Sequence, residues 1–190
     1  MDKSRSKTRR VFLGDHSMQL QGDKPKPGKR ILGCFHANPA RKTRAVLNEN
    51  KINRGLVIIS TLPNIRSFAC SQQVLDLELE VRAHLPEAKI YHIASDPKSG
   101  WDEVEKLHPF LKSPGFTLVG VDKSSVESFK KEFGVGVEGN KRIAHGLFAL
   151  KNGEFLVSYI PRQQYGVPNI KRFVNRVKDR LLYAQELSEP

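Results

Sequence analysis

Cys70 is the residue of this 190-residue chain whose setting best suits nucleophilic chemistry. It follows the apolar, β-branched run Leu56–Leu62 and stands where a helix opens. Free N–H groups and the partial positive charge at a helix start favour a thiolate over a thiol. Ser67, three residues before the sulfur, offers a hydroxyl that can donate to a thiolate or a bound oxygen. Arg66 adds a positive charge, and Pro63 stiffens the bend that aims the turn. A free cysteine can equally serve as a small buried apolar residue, and position alone leaves both roles open.

The elements around this turn are legible from pattern. Leu56–Leu62 reads as a strand buried on both faces. A helix follows over about 70–85, with Val74, Leu75, Leu77, Leu79 and Val81 as its apolar side, and Pro86 ends it. Further strands are expected at Ile90–Ala94 and Phe116–Gly120, and helices at 101–112 and from Ser124 or Ser125 to Phe133. Asn152-Gly153 between the runs Ile143–Leu150 and Glu154–Ile160 is a strong hairpin signal. A last amphipathic helix is predicted over about 168–187. Upstream, Val11–Gly22 reads as a hairpin, Lys24–Gly28 as a proline-bound connector, and Ile31–Phe35 and Arg44–Leu47 as edge strands. This order implies an α/β, thioredoxin-like fold, a central mixed β-sheet flanked by helices with an N-terminal β-hairpin. No Cys-x-x-Cys accompanies it.

The segment Leu62-Pro63-Asn64-Ile65-Arg66-Ser67-Phe68-Ala69-Cys70 resembles the peroxiredoxin signature Pro-x-x-x-Thr/Ser-x-x-Cys. Its Pro-x-Ile-x-Ser wording is most similar to the bacterial thiol peroxidase branch. The hairpin ending in Gly22-Asp23, the Lys26–Lys29 connector, Ile93–Asp96 and the closing hairpin and helix fall in the family's order, so the resemblance covers roughly residues 11–185. It implies that Cys70 attacks a hydroperoxide and becomes a sulfenic acid. Ser67 would orient the peroxide and Pro63 would shield the pocket. No metal or organic cofactor is implied; thioredoxin or a small thiol would recharge the cysteine, and a homodimer is the usual assembly. Where the family carries a strand arginine this chain has His145, with Arg66 or Arg142 as possible electrostatic substitutes. The branch's resolving cysteine is absent from 101–106, which leaves an outside thiol, a partner subunit or Cys34.

Composition bounds the rest. Two cysteines are too few for a disulfide scaffold or a four-cysteine zinc site, and a reducing, cytoplasmic setting is the expectation. His36, His84, His92 and His108 lack ligand spacing, so no metal is expected. No stretch approaches the ~20 apolar residues that span a bilayer, and no secretory signal is read at the start. The net charge of +12 is concentrated early: residues 1–55 hold 14 Lys/Arg against 4 Asp/Glu. Residues 1–10 are therefore expected to be a basic, disordered leader and 11–190 the folded domain. Such a segment is either a solvated arm or a contact for nucleic-acid phosphates. The alternative to a peroxidase is accordingly a weakened member of the fold, acting as a redox sensor or a basic nucleic-acid-binding module.

Overall fold

The computed structural model describes residues 9–186. Residues 1–8 of the expected leader, and Leu187 at the end of the expected last helix, lie outside the described residues. Arg9 and Arg10, assigned to the leader by charge, instead begin strand β1 (Arg9–Leu13), which pairs with β2 (His16–Gln21) in the expected hairpin. A two-residue strand, β8 (Gly136–Val137), extends the hairpin to a three-stranded sheet.

The main sheet has seven strands in the order β10-β9-β5-β6-β7-β3-β4. Its middle is parallel: β5 (Leu56–Leu62), β6 (Lys89–Ala94) and β7 (Gly115–Thr117). Every residue of β5 is buried, as a strand with both faces covered requires. On one side β5 pairs antiparallel with β9 (Gly146–Lys151), which turns into β10 (Glu154–Tyr159). Asn152 and Gly153 both have positive φ, 50° and 82°, the left-handed pair that a two-residue hairpin turn with the right twist demands.

The far edge differs from expectation. The strands fall at β3 (His36–Arg41) and β4 (Leu47–Asn48), not at 31–35 and 44–47, and a short helix α1 (Glu49–Ile52) follows. Pro39 hid β3 in the sequence. It is tolerated because the register with β7 slips between Pro39 and Arg41, where no ladder N–H is required of it.

Alternation along β5 divides the core. Val57 and Ile59 pack with Phe129 and Phe133 of α4 (Lys123–Phe133) on one face. Leu56 and Ile58 pack on the other with Leu77 and Val81 of α2 (Phe68–His84) and Phe173, Val174 and Val177 of α5 (Ile170–Glu186). Helix α3 (Lys98–Leu107) completes this second face through Trp101 and Val104, packed with Leu62 and Cys70. Asp122, not Ser124 or Ser125, caps α4 by accepting the Ser125 N–H at 2.8 Å. At its other end Gly134 adopts φ 62°, and Arg9 donates to its carbonyl at 3.0 Å, tying the hairpin to the helix. No helix among the described residues is long and apolar enough to cross a membrane.

Candidate active site

Strand β5 ends at Leu62, and the chain turns through Pro63–Ser67 before α2 begins. The turn is held from inside by the Ser67 N–H on the Asn64 carbonyl, 2.9 Å, and from outside by the Ile65 N–H on Asp96, 2.7 Å. Ser67 is the N-cap of α2, its hydroxyl accepting the Cys70 N–H at 3.3 Å. Cys70 therefore sits in the first helical turn, as expected, and is wholly buried.

The register of β5 with β9 supplies its partner. Thr61 lies opposite Gly146, so His145, one residue upstream, reaches the end of β5 beside the α2 start. Its Nε2 is 3.7 Å from the Cys70 sulfur. Its Nδ1 is 2.8 Å from Oε1 of Gln73. The Gln73 amide nitrogen is itself committed to Ser60 Oγ at 2.7 Å. Oε1 is thus the acceptor, Nδ1 carries the imidazole proton, and Nε2 presents a lone pair to the thiol. The hydrogen bond runs from Cys70 S–H to His145. The His145 backbone N–H donates to Oε1 of buried Gln164 at 2.6 Å, which anchors the chain at this position.

Gln73 was not among the residues picked out by sequence. Its signal was the spacing: three residues after Cys70 places it on the same helix face. The buried stripe of α2 is Cys70, Gln73, Val74, Leu77, Glu78 and Val81, whereas Leu79, read as apolar face, is 56% exposed. Two polar residues occupy that stripe because each has partners. Gln73 serves His145, and Glu78 accepts the backbone N–H groups of Lys112 and Ser113 at 2.7 and 2.8 Å.

Burial dominates the electrostatics. It pushes the Cys70 thiol above its ordinary value, against the lowering influence of the Ser67 hydroxyl, the Asn64 backbone and the more distant Arg142. It also lowers His145 to about 4, so the resting pair is neutral thiol and neutral imidazole. His92, buried in β6 without a hydrogen-bond partner among the described residues, is lowered to about 3, chiefly by burial. Both histidines bind a proton more readily unfolded, near 6.5, than folded. Stability is therefore fully present above about pH 6.5 and falls as pH drops towards the folded values. By pH 4 the expected loss is on the order of 3 kcal/mol for each histidine, read as a falling urea midpoint. A midpoint unchanged between pH 7 and 4 would contradict neutral burial of either ring.

The two remaining candidates are not part of this cluster. Arg66 points away: its guanidinium donates to Ser99 at 3.0 Å and pairs with Glu103 at 3.3 Å, both at the exposed start of α3. The cation that acts on Cys70 is Arg142, on the exposed approach to His145. Cys34 is exposed and borders Ser124 and Ser125 at the start of α4. It precedes β3, three strand positions from β5, or roughly 14 Å along the sheet. Its neighbour Phe35 packs on Phe129 and Phe133, across the sheet from α2. A disulfide needs Cα atoms within about 7 Å, so this fold does not bring Cys34 to Cys70 within one chain.

A cavity of about 610 Å³ lies over the pair, lined by Pro63, Ser67, Ala69, His145, Arg142 and Gln164 among others. Pro63 thus forms wall, Ser67 and His145 flank the hidden sulfur, and Arg142 provides the charge. The exposed side chains Leu13, Phe68, Tyr165 and Val167 collar the opening. Among the described residues no group of three or more His, Cys, Asp or Glu is placed to hold a metal ion.

No family model matches the chain, and no curated protein matches it in sequence. Solved structures do match. A thiol peroxidase from Chromobacterium violaceum superposes with TM-score 0.73 at 14% identity, covering 94% of this chain and 98% of its own. AhpC of Enterococcus faecalis gives 0.71 at 17%, covering 87% and 98%. A peroxiredoxin-like protein from Aquifex aeolicus gives 0.69 at 18%, covering 90% and 97%. With overlap along nearly the whole of each of these structures, the chain has the thioredoxin-like fold of the peroxiredoxins and thiol peroxidases.

Proposed function

We propose that this chain is a peroxiredoxin of the thiol peroxidase type, with Cys70 as its peroxidatic cysteine. The carrying observation is the Cys70–His145 contact of 3.7 Å beneath the cavity, with Gln73 fixing the imidazole tautomer. His145 Nε2 takes the thiol proton as the sulfur attacks one peroxide oxygen. The S–O bond forms, the O–O bond breaks, and the leaving oxygen takes the proton from His145 to depart as water or an alcohol. Sulfur is thereby oxidised to a sulfenic acid and the peroxide reduced. Ser67 orients the bound peroxide, and Arg142 favours the anionic character that develops on sulfur and oxygen. A thiol then attacks the sulfenic acid, releasing water and leaving a mixed disulfide. A second thiol, from thioredoxin or a small-thiol pool, reduces that disulfide and returns Cys70. Hydrogen peroxide and small alkyl hydroperoxides are the substrates, and the apolar collar around the cavity is the surface on which a second subunit of a homodimer would close.

The separation of the two cysteines favours a cycle that needs only one of them. A Cys34→Ser variant should turn over peroxide with an external dithiol at a rate within about twofold of the wild type, as surface substitutions usually allow. Non-reducing electrophoresis of the oxidised wild type should show no Cys34–Cys70 bridge within a chain. Loss of turnover in the variant would make Cys34 the resolving residue and sink the one-cysteine cycle. The complete burial of Cys70 favours one second reading, a redox sensor that oxidises once and is slowly restored; repeated turnover in the same assay excludes it.

A further inference from the structure

Away from Cys70, a smaller cavity of about 230 Å³ opens at the start of α5, lined by Lys24, Tyr159, Asn169, Arg172 and Arg176 among others. Three cations from two distant parts of the chain converge there. A fourth, Arg9, stands close by, its guanidinium anchored on the carbonyls of Gly22 and Gly134, both at 3.0 Å. Like charges so placed repel. Lys24 is held below the ordinary lysine value by partial burial and then by Arg176 and Arg9. Asp23 is the acid that acts on Arg9. Among the described residues, Lys24, Arg172 and Arg176 take part in no salt bridge. A fold that gathers unneutralised cations at one cavity keeps a cost that a bound anion would relieve.

The cluster continues along the helix. Arg172, Arg176 and Arg180 recur every four residues on α5 and are exposed, so they form one stripe with a rise of about 6 Å per step. Tyr183 follows three residues after Arg180 on the same face, 56% exposed. The buried face of the helix, Ile170, Phe173, Val174 and Val177, lies elsewhere on its circumference. A row of guanidinium groups that ends at exposed Tyr183 combines phosphate pairing with a ring face on which a base stacks. The chain also enters this surface through Arg9, preceded in sequence by Lys3, Arg5 and Lys7. A single small phosphate would need the cavity alone; the length of the stripe and the exposed ring of Tyr183 suit an extended strand.

We propose that Lys24, Arg172, Arg176 and Arg180 form a binding surface for the phosphodiester backbone of single-stranded nucleic acid, with Tyr183 as a stacking platform. This activity is separate from Cys70 and from the peroxidase reading. Bases are not read by hydrogen bonds here, so affinity is set by salt more than by sequence.

The test is fluorescence anisotropy of a labelled oligothymidylate of about 20 nucleotides, titrated with the full chain between about 50 and 200 mM salt. Wild type should bind at the low end, with log K falling linearly in log salt. The quadruple variant Lys24→Ser, Arg172→Ser, Arg176→Ser, Arg180→Ser should lose affinity on the order of 100-fold, its salt slope shallower by about 2 to 3. Circular dichroism and the reaction of Cys70 with peroxide should be unchanged in it. No binding by the wild type at low salt would overturn the proposal. So would a variant that keeps both affinity and slope, since the strand would then be held elsewhere. Inorganic tripolyphosphate that binds the cluster while the oligonucleotide does not would also overturn it, leaving a small-phosphate site.

Discussion

A Cys70→Ser variant should fold normally and lose all catalytic turnover of hydroperoxide. A serine oxygen cannot be oxidised by a peroxide, so no sulfenic acid forms and no reductant is consumed beyond the slow background of exposed Cys34. The fold should be indifferent because the substituted atom is nearly isosteric and its hydroxyl can still donate to His145 Nε2. The buried acceptor therefore keeps a partner, and stability should stay within about 1 kcal/mol by thermal melting. Full activity in this variant would remove the reading of the whole site. Destabilisation by several kcal/mol would instead mark Cys70 as a packing residue of the cluster containing Leu62, Val74 and Trp101.

His145→Gln should give the second-largest effect, a fall in the rate of Cys70 oxidation of about 100- to 10,000-fold, the usual worth of general acid–base help. Glutamine can hydrogen-bond but cannot accept the thiol proton and return it to the leaving oxygen. The buried thiol, already pushed above its ordinary value, then depends on the hydroxide concentration alone. Peroxide oxidation monitored by mass spectrometry of Cys70 gives the rate directly. A variant as fast as wild type would reduce His145 to a satisfied buried ring.

The sequence carried the middle of the molecule well because its strands are buried on both faces. Leu56–Leu62 has no other stable use than a central strand, and the Asn152-Gly153 turn sets Lys151 opposite Glu154. The setting of Cys70 follows from that strand and from the helix that opens after it, whereas the cap that Ser67 provides shows only in the structure. The edges were less legible. Pro39 broke the pattern of β3, and β8 and α1 are too short to show a period. Within the site, hydrophobicity was the wrong guide to α2: it favoured exposed Leu79 over buried Gln73 and Glu78, whose burial depends on partners far away in sequence. Arg66 lies close to Cys70 along the chain, but the turn directs its side chain to Ser99 and Glu103. The leader's charge masks the strand at Arg9 and Arg10.

On the proposed mechanism the peroxide meets a neutral Cys70–His145 pair that shares one proton, not a buried thiol that must ionise on its own. The pH dependence of the oxidation rate of the reduced wild-type protein tests it most directly. The sulfide–imidazolium form that reacts is one proton arrangement of the neutral pair, so its fraction is constant between the two titrations. The rate should therefore be flat from about pH 5.5 to 8.5, falling only as His145 protonates near pH 4. A rate that instead climbs about tenfold with each pH unit, towards the raised value of a lone buried thiol, would contradict the account.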